Sequence, residues 1–157
     1  MITFTYADNS ESVDRTLAGF QDALAANLPA LRQIADDFRE MVAQQFASEG
    51  RAEGTPWPPR RSSRVGAQHA APLLIRTGAL RDSLVGPSAG HIEEMDERLL
   101  TLGTRVPYAI FHQLGTRHMP ARPIIVLTEA RGAKWTEIVR HAMEQKAQVL
   151  GTRELGG

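Results

Sequence analysis

Five histidines, a run of carboxylates and sixteen arginines are the side chains in this 157-residue sequence that could do chemistry. His112 and His118 stand six apart. That is not the i, i+4 spacing that sets two metal ligands on one helix face. No acid lies between Glu97 and Glu129, so neither histidine has a carboxylate co-ligand nearby in sequence. His112 reads as a packed or hydrogen-bonded residue at the end of an element, and His69, His91, His118 and His141 as surface residues. Glu93, Glu94, Asp96 and Glu97 cluster where two strands should turn, and a charged turn is normally a solvated one. No serine sits in Gly-x-Ser-x-Gly. With no cysteine, disulfides, thiolate ligands and thiol nucleophiles are all excluded. Gly54, Gly66, Gly86 and Gly90 are too scattered to cradle a phosphate. The sequence therefore predicts a non-enzymatic protein with no catalytic residue, no cofactor and no bound metal.

The arginines point to binding. Arg51, Arg60, Arg61, Arg64 and Arg76 form one basic group, and Arg98, Arg105, Arg117 and Arg122 a second. Arginines neutralise phosphates and release counterions, so a nucleic-acid-binding protein using these arginine-rich loops is the alternative function. A net charge of zero and few interleaved aromatics weigh against it. The planar guanidinium fork suits protein interfaces as well. The zero net charge also hides a split. Residues 1–49 carry eight acids and three bases, a net of minus five, and residues 50–157 carry the balancing plus five. Asp36, Asp37 and Glu40 lie within two turns of one predicted helix and give an acidic face to set against the basic loops.

Those side chains need a scaffold, and 157 residues suffice for a single domain with a real core. Ile2–Tyr6 alternates apolar and polar residues and predicts a short strand. It has neither the basic nor the apolar region of a secretory leader, and no window approaches the ~20 apolar residues of a membrane span. Val13, Leu17, Phe20 and Leu24 recur at helical spacing after Asp8-Asn-Ser10, a helix-start signal. Asn27-Leu-Pro29 breaks or kinks this helix. A second helix carries Leu31, Ile34, Phe38, Met41, Val42 and Phe46 on one stripe, interrupted by a polar Gln45 and ended by Glu49-Gly50.

Residues from about 51 to 72 are rich in proline, glycine and serine and predict a long flexible loop. Within it, Trp57 either folds back as a lid or anchors the loop in a neighbouring subunit, and the second reading is the expectation carried forward. Thr77 is expected to cap a short helix with Leu80 and Leu84 inward. Two strands, 91–95 and 98–103, should flank Asp96-Glu97. One or two helical turns follow Pro107 and stop at Gly115. Ile124–Leu127 reads as a short buried segment. Thr128 then caps a last helix to about Leu150, with Trp135, Ile138, Val139, Ala142, Lys146 and Val149 inward. The fold class is α+β: a long N-terminal helix or kinked helix pair, a small antiparallel sheet, a C-terminal helix and a long Pro/Gly-rich loop.

Several segments, taken in order, resemble the virion morphogenesis (tail completion) family of Mu-like tailed bacteriophages. They are Phe46-Ala-Ser-Glu-Gly50, Trp57 among prolines, Arg76-Thr-Gly-Ala-Leu80, Gly103-Thr-Arg-Val-Pro-Tyr-Ala-Ile-Phe-His-Gln-Leu-Gly115 and Pro120-Ala-Arg-Pro123. Ile124 departs from the family pattern, which has a Phe there. The resemblance implies a structural protein acting at the head–tail neck of a virion, in tail completion or head–tail joining. It implies a homo-oligomeric ring whose partners are its own copies and phage neck, connector or tail proteins. Non-specific contact with DNA in the channel is compatible with it, and no membrane is involved. The location implied is the virion, with the host cytoplasm during assembly. The expected interface residues are Trp57, Arg60, Arg61, Arg64, Arg76, Tyr108, His112, Arg117, Arg122, Asp36, Asp37 and Glu40.

Overall fold

The computed structural model describes residues 27–59, 72–96 and 99–154. The predicted N-terminal strand and first helix, and the loop stretch holding Arg60, Arg61 and Arg64, lie outside the described residues. The long helix α1 (Asn27–Ala47) is present as predicted. Pro29 falls in its first turn, where a missing N–H leaves nothing unpaired. Its buried stripe runs Ala30, Leu31, Ile34, Ala35, Phe38, Met41, Val42, Gln45 and Phe46. Gln45, read from sequence as an interruption, is as buried as its apolar neighbours.

The chain forms two compact units. In the first, built from 37–92 and 102–127, α1 ends where Glu49 and Gly50 adopt φ of 51° and 93°. The Gly50 N–H donates back to the Gln45 carbonyl at 2.9 Å, closing the helix end. The chain then doubles over that end. Residues 51–59 hold neither helix nor strand, but they are tied down. The Trp57 N–H donates to the Glu49 carbonyl at 2.8 Å, and the Trp57 ring meets Phe46 edge-on at 5.6 Å.

Helix α2 (Ala79–Val85) buries Leu80, Ser83 and Leu84. Its N-cap is Gly78 at φ 80°, not Thr77, whose hydroxyl makes only a 3.4 Å contact with the Ala79 N–H. Glycine takes that left-handed position without the Cβ clash a threonine would meet there. The Ser83 hydroxyl bonds the Leu80 carbonyl at 2.9 Å and the Thr104 hydroxyl at 2.7 Å, so its burial is satisfied.

Strands β1 (His91–Met95) and β2 (Leu100–Thr104) form a two-stranded antiparallel sheet. β2 sits slightly later than the predicted 98–103. Asp96 sets the turn: its N–H donates to the Leu99 carbonyl, and its carboxylate accepts the Leu99 N–H at 2.8 Å.

The second unit takes in 93–101, 128–154 and the start of α1 among the described residues. Its long helix, Glu129–Glu154, is capped by Thr128, whose hydroxyl accepts the Arg131 N–H at 3.3 Å. It extends past the predicted end at Leu150. The expected inner residues Trp135, Ile138, Val139, Ala142 and Lys146 are half-buried. The fold is thus α+β, with a long helix near each end of the chain and a small antiparallel sheet between them in sequence.

Candidate functional site

The first unit is organised around one irregular stretch, residues 122–125, which is clamped from three directions. From α1, Gln45 donates its amide N–H to the Pro123 carbonyl at 3.1 Å. The amide oxygen of the same Gln45 accepts the Glu53 N–H at 3.2 Å. From the loop after α1, the Trp57 indole N–H donates to that same Pro123 carbonyl at 2.9 Å. The Arg122 guanidinium runs the other way, donating to the Pro58 and Pro59 carbonyls at 2.9 and 3.1 Å. Proline carbonyls suit this role, because a Pro-Pro run forms no helix or sheet ladder that would otherwise use them.

The third clamp is the short helix after β2, Ala109–Leu114, here α3. Gln113 is its anchor. Its amide oxygen accepts the N–H groups of Ile124 and Ile125 at 2.9 and 3.1 Å, and its amide nitrogen donates to the Ile125 carbonyl at 2.8 Å. The Arg122 N–H donates to the His112 carbonyl at 2.7 Å. Gly115 ends the helix at φ 76°, where a Cβ would stand 2.7 Å from the Ala121 nitrogen. The clamp therefore closes only over glycine.

This arrangement turns α3 inside out. Its polar Gln113 faces the protein, and none of its residues is buried. Leu114 is 70% exposed and Phe111 52%, with Ile110 and the preceding Tyr108 exposed beside them. Helices gain most of their stability by burying an apolar face, so a six-residue helix with that face in water is held by its tertiary clamps alone. Alongside it lies an apolar groove of about 290 Å³, lined by Leu84, Ile92, Val106, Ile110, Ile124 and Ile125. Ile124 is buried as predicted, whereas Leu127, expected to be buried with it, is exposed.

Two of the expected interface residues are internal. Trp57 is only 4% exposed, a core side chain of its own subunit and not an anchor for a neighbour. Its large ring reaches over Phe46 to a carbonyl that accepts its N–H, and that is the partner it needs on burial. Arg122 is likewise buried, its cation satisfied by backbone carbonyls and not offered to another chain. Arg76, Tyr108 and Arg117 are exposed, as are Asp36 and Glu40, with Asp37 half-exposed.

His112 is half-buried, and its ring meets Tyr108 edge-on at 5.9 Å. Its Nδ1 is buried with no hydrogen bond among the described residues. Burial, and secondarily the Arg122 charge, hold its pKa below the ordinary 6.5, so the ring is neutral at pH 7. The two glutamine clamps and the outward Ile110, Phe111 and Leu114 are not among the expected interface residues. A polar residue inside an apolar stripe, as Gln45 is, is the signal that marks a buried partner.

Among the described residues, no three His, Asp or Glu side chains converge as a metal site. Among the same residues, no helix is long and apolar enough to cross a membrane.

A family model, the phage virion morphogenesis family, matches residues 8–144. The chain is 27% identical over 128 residues to the Mu-like prophage FluMu G protein 2 of Haemophilus influenzae, covering 77% of this chain and 81% of that protein. No solved structure matches the chain significantly.

Proposed function

The chain belongs to the phage virion morphogenesis family, a family of virion assembly, and on that premise we propose that it is a non-catalytic structural subunit of the head–tail neck. It acts in tail completion or head–tail joining, as a homo-oligomeric ring seated against connector or tail proteins. The observation that carries this reading is the family match, which extends across nearly all of the chain. The outward apolar face of α3 supports it, since a subunit built to assemble must present a fixed surface for its neighbours.

The test is a phage or prophage from which this gene is deleted, examined by electron microscopy after induction. The expected result is filled heads and separate tails, with joined particles restored when purified protein is added to the lysate. Normal joined virions from the deletion strain would overturn the proposal. Unfilled heads or missing tails would move the protein to a different stage of assembly.

A further inference from the structure

We propose that the apolar groove beside α3 is a docking site for a segment of another protein, one that carries a large apolar side chain with a carboxylate next to it. The inference deepens the neck reading above and rests on it for the source of that segment, a connector or tail protein. The groove lies wholly within the first unit. Leu84 of α2, Ile92 of β1, Val106, Ile110 of α3, Ile124 and Ile125 form its apolar walls. At about 290 Å³ it stands at the small end of the ~300–1,000 Å³ that ligand pockets span. That volume suits side chains entering from a neighbour. The walls are also set before anything binds. Gln113 ties α3 to Ile124 and Ile125, so the two sides of the groove hold each other in place. A surface fixed in this way loses little freedom on docking.

The lining decides the chemistry of the occupant. Its uncharged polar side chains are already engaged. Both ends of the Gln113 amide are bonded to backbone groups. The Thr104 hydroxyl meets that of Ser83 at 2.7 Å and accepts the Val106 N–H at 3.0 Å. A neutral polar group entering the groove would leave water and gain little in return. Arg105 is the one charged residue among the described lining, and no acid lines the groove with it. Arg105 is exposed, and among the described residues its guanidinium has neither a hydrogen bond nor an ion pair. An incoming carboxylate therefore meets a cation and no like charge. A guanidinium can take both carboxylate oxygens in two parallel bonds. A second cation in the same place would be repelled.

The extent of the apolar surface points to a protein as the source. Ile110 lines the groove and is also 41% exposed. Leu114, one turn further on and on the same side of α3, is more exposed still. Phe111 and Tyr108 are exposed beside them. A small molecule filling the groove would leave these side chains in water. A protein segment can fill the groove with one apolar side chain and extend over the rest. Exposed apolar patches of this kind mark interaction surfaces, and their centres favour large apolar anchors together with arginine.

The test uses the full-length chain in induced cells of the deletion strain. The photoreactive amino acid p-benzoylphenylalanine is placed at Ile110, and in a second variant at Phe111. Both positions are exposed, and circular dichroism of the purified variants confirms folding. After irradiation, mass spectrometry identifies the cross-linked peptide. It should come from another virion protein and hold an Asp or Glu next to a large apolar residue. Adding Arg105→Glu should lower the yield about tenfold or more, because it sets like charges against each other at the contact. Replacing the identified acid by arginine should restore the yield. Arg51→Glu, at an exposed arginine that does not line the groove, should leave it unchanged. The cross-link is read whether or not heads and tails join, so it is independent of the deletion phenotype. A peptide of the same chemistry from a host protein would uphold the groove and end the neck reading. A cross-link only to a second copy of this chain, or to a peptide without an acid, would overturn the proposal. So would the absence of any cross-link from both positions, or a yield indifferent to Arg105→Glu.

Discussion

Trp57 and Gly50 occupy one another's space: a Cβ built on Gly50 would stand 2.5 Å from Cδ1 of the Trp57 ring. The indole lies flush against the backbone where α1 ends, and from there reaches the Pro123 carbonyl. The loop is fastened to the helix through this pair. Gly50 meets two demands at once, a φ of 93° and an absent side chain.

Gly50→Ala should therefore destabilise the subunit by at least about 2 kcal/mol, from the left-handed backbone and the displaced ring together. Trp57→Ala should cost about 3–5 kcal/mol, the range for emptying a buried aromatic site. Urea unfolding followed by circular dichroism measures both. A Trp57→Ala subunit as stable as wild type would return the tryptophan to the role of an intermolecular anchor.

Gln113→Leu keeps the approximate size of the side chain and removes its hydrogen bonds. The Ile124 and Ile125 N–H groups and the Ile125 carbonyl then lose the partner they have here. Each such loss costs about 1–3 kcal/mol where water cannot replace it. The distinguishing readout is local. Hydrogen exchange over residues 109–114 should accelerate more than exchange in α1. Uniform acceleration in both would show that Gln113 supports the core as a whole and does not specifically fix α3.

Arg122→Lys tests whether the fork or the charge matters. Two carbonyls on successive prolines are met by Nε and Nη2 of one planar group. A lysine presents a single point donor at that place. The variant should be destabilised by about 1–3 kcal/mol in thermal or urea unfolding. Unchanged stability would mean that the positive charge alone suffices.

The pH dependence follows from His112. Its folded pKa lies below 6.5, so the unfolded chain binds the proton more tightly than the folded one does. Stability contributed by this group is fully present above pH 6.5. It falls as pH drops through that value and levels off below the lowered folded pKa. Urea midpoints at pH 7.5 and 5.5 should differ, with the lower pH less stable, and His112→Gln should shrink the difference. An identical pH response in the variant would assign the loss to other groups.

The order of elements was legible in the residues themselves. The 3.6-residue stripe of α1, the β-forming run at 91–95, the glycine stop at Gly115 and the Thr128 cap are local signals, and local energetics placed them. The family resemblance was carried by the same short-range motifs. Tertiary structure alone decided which way the residues outside those periodic stripes face. A lone tryptophan in a proline-rich stretch has no periodicity to report its side, and only the Pro123 carbonyl, 66 residues away, draws it inward. Arg122 looked like surface charge because sequence does not show that two proline carbonyls converge on it. Gln45 looked like a flaw in an apolar stripe until its partner 78 residues on was in place. The apolar side of α3 faces out because Gln113 holds its other side in, and hydropathy alone assigns apolar residues to the core. Bonds between distant parts of the chain leave no periodic trace in sequence. In this protein those bonds separate the buried core from the exposed surface.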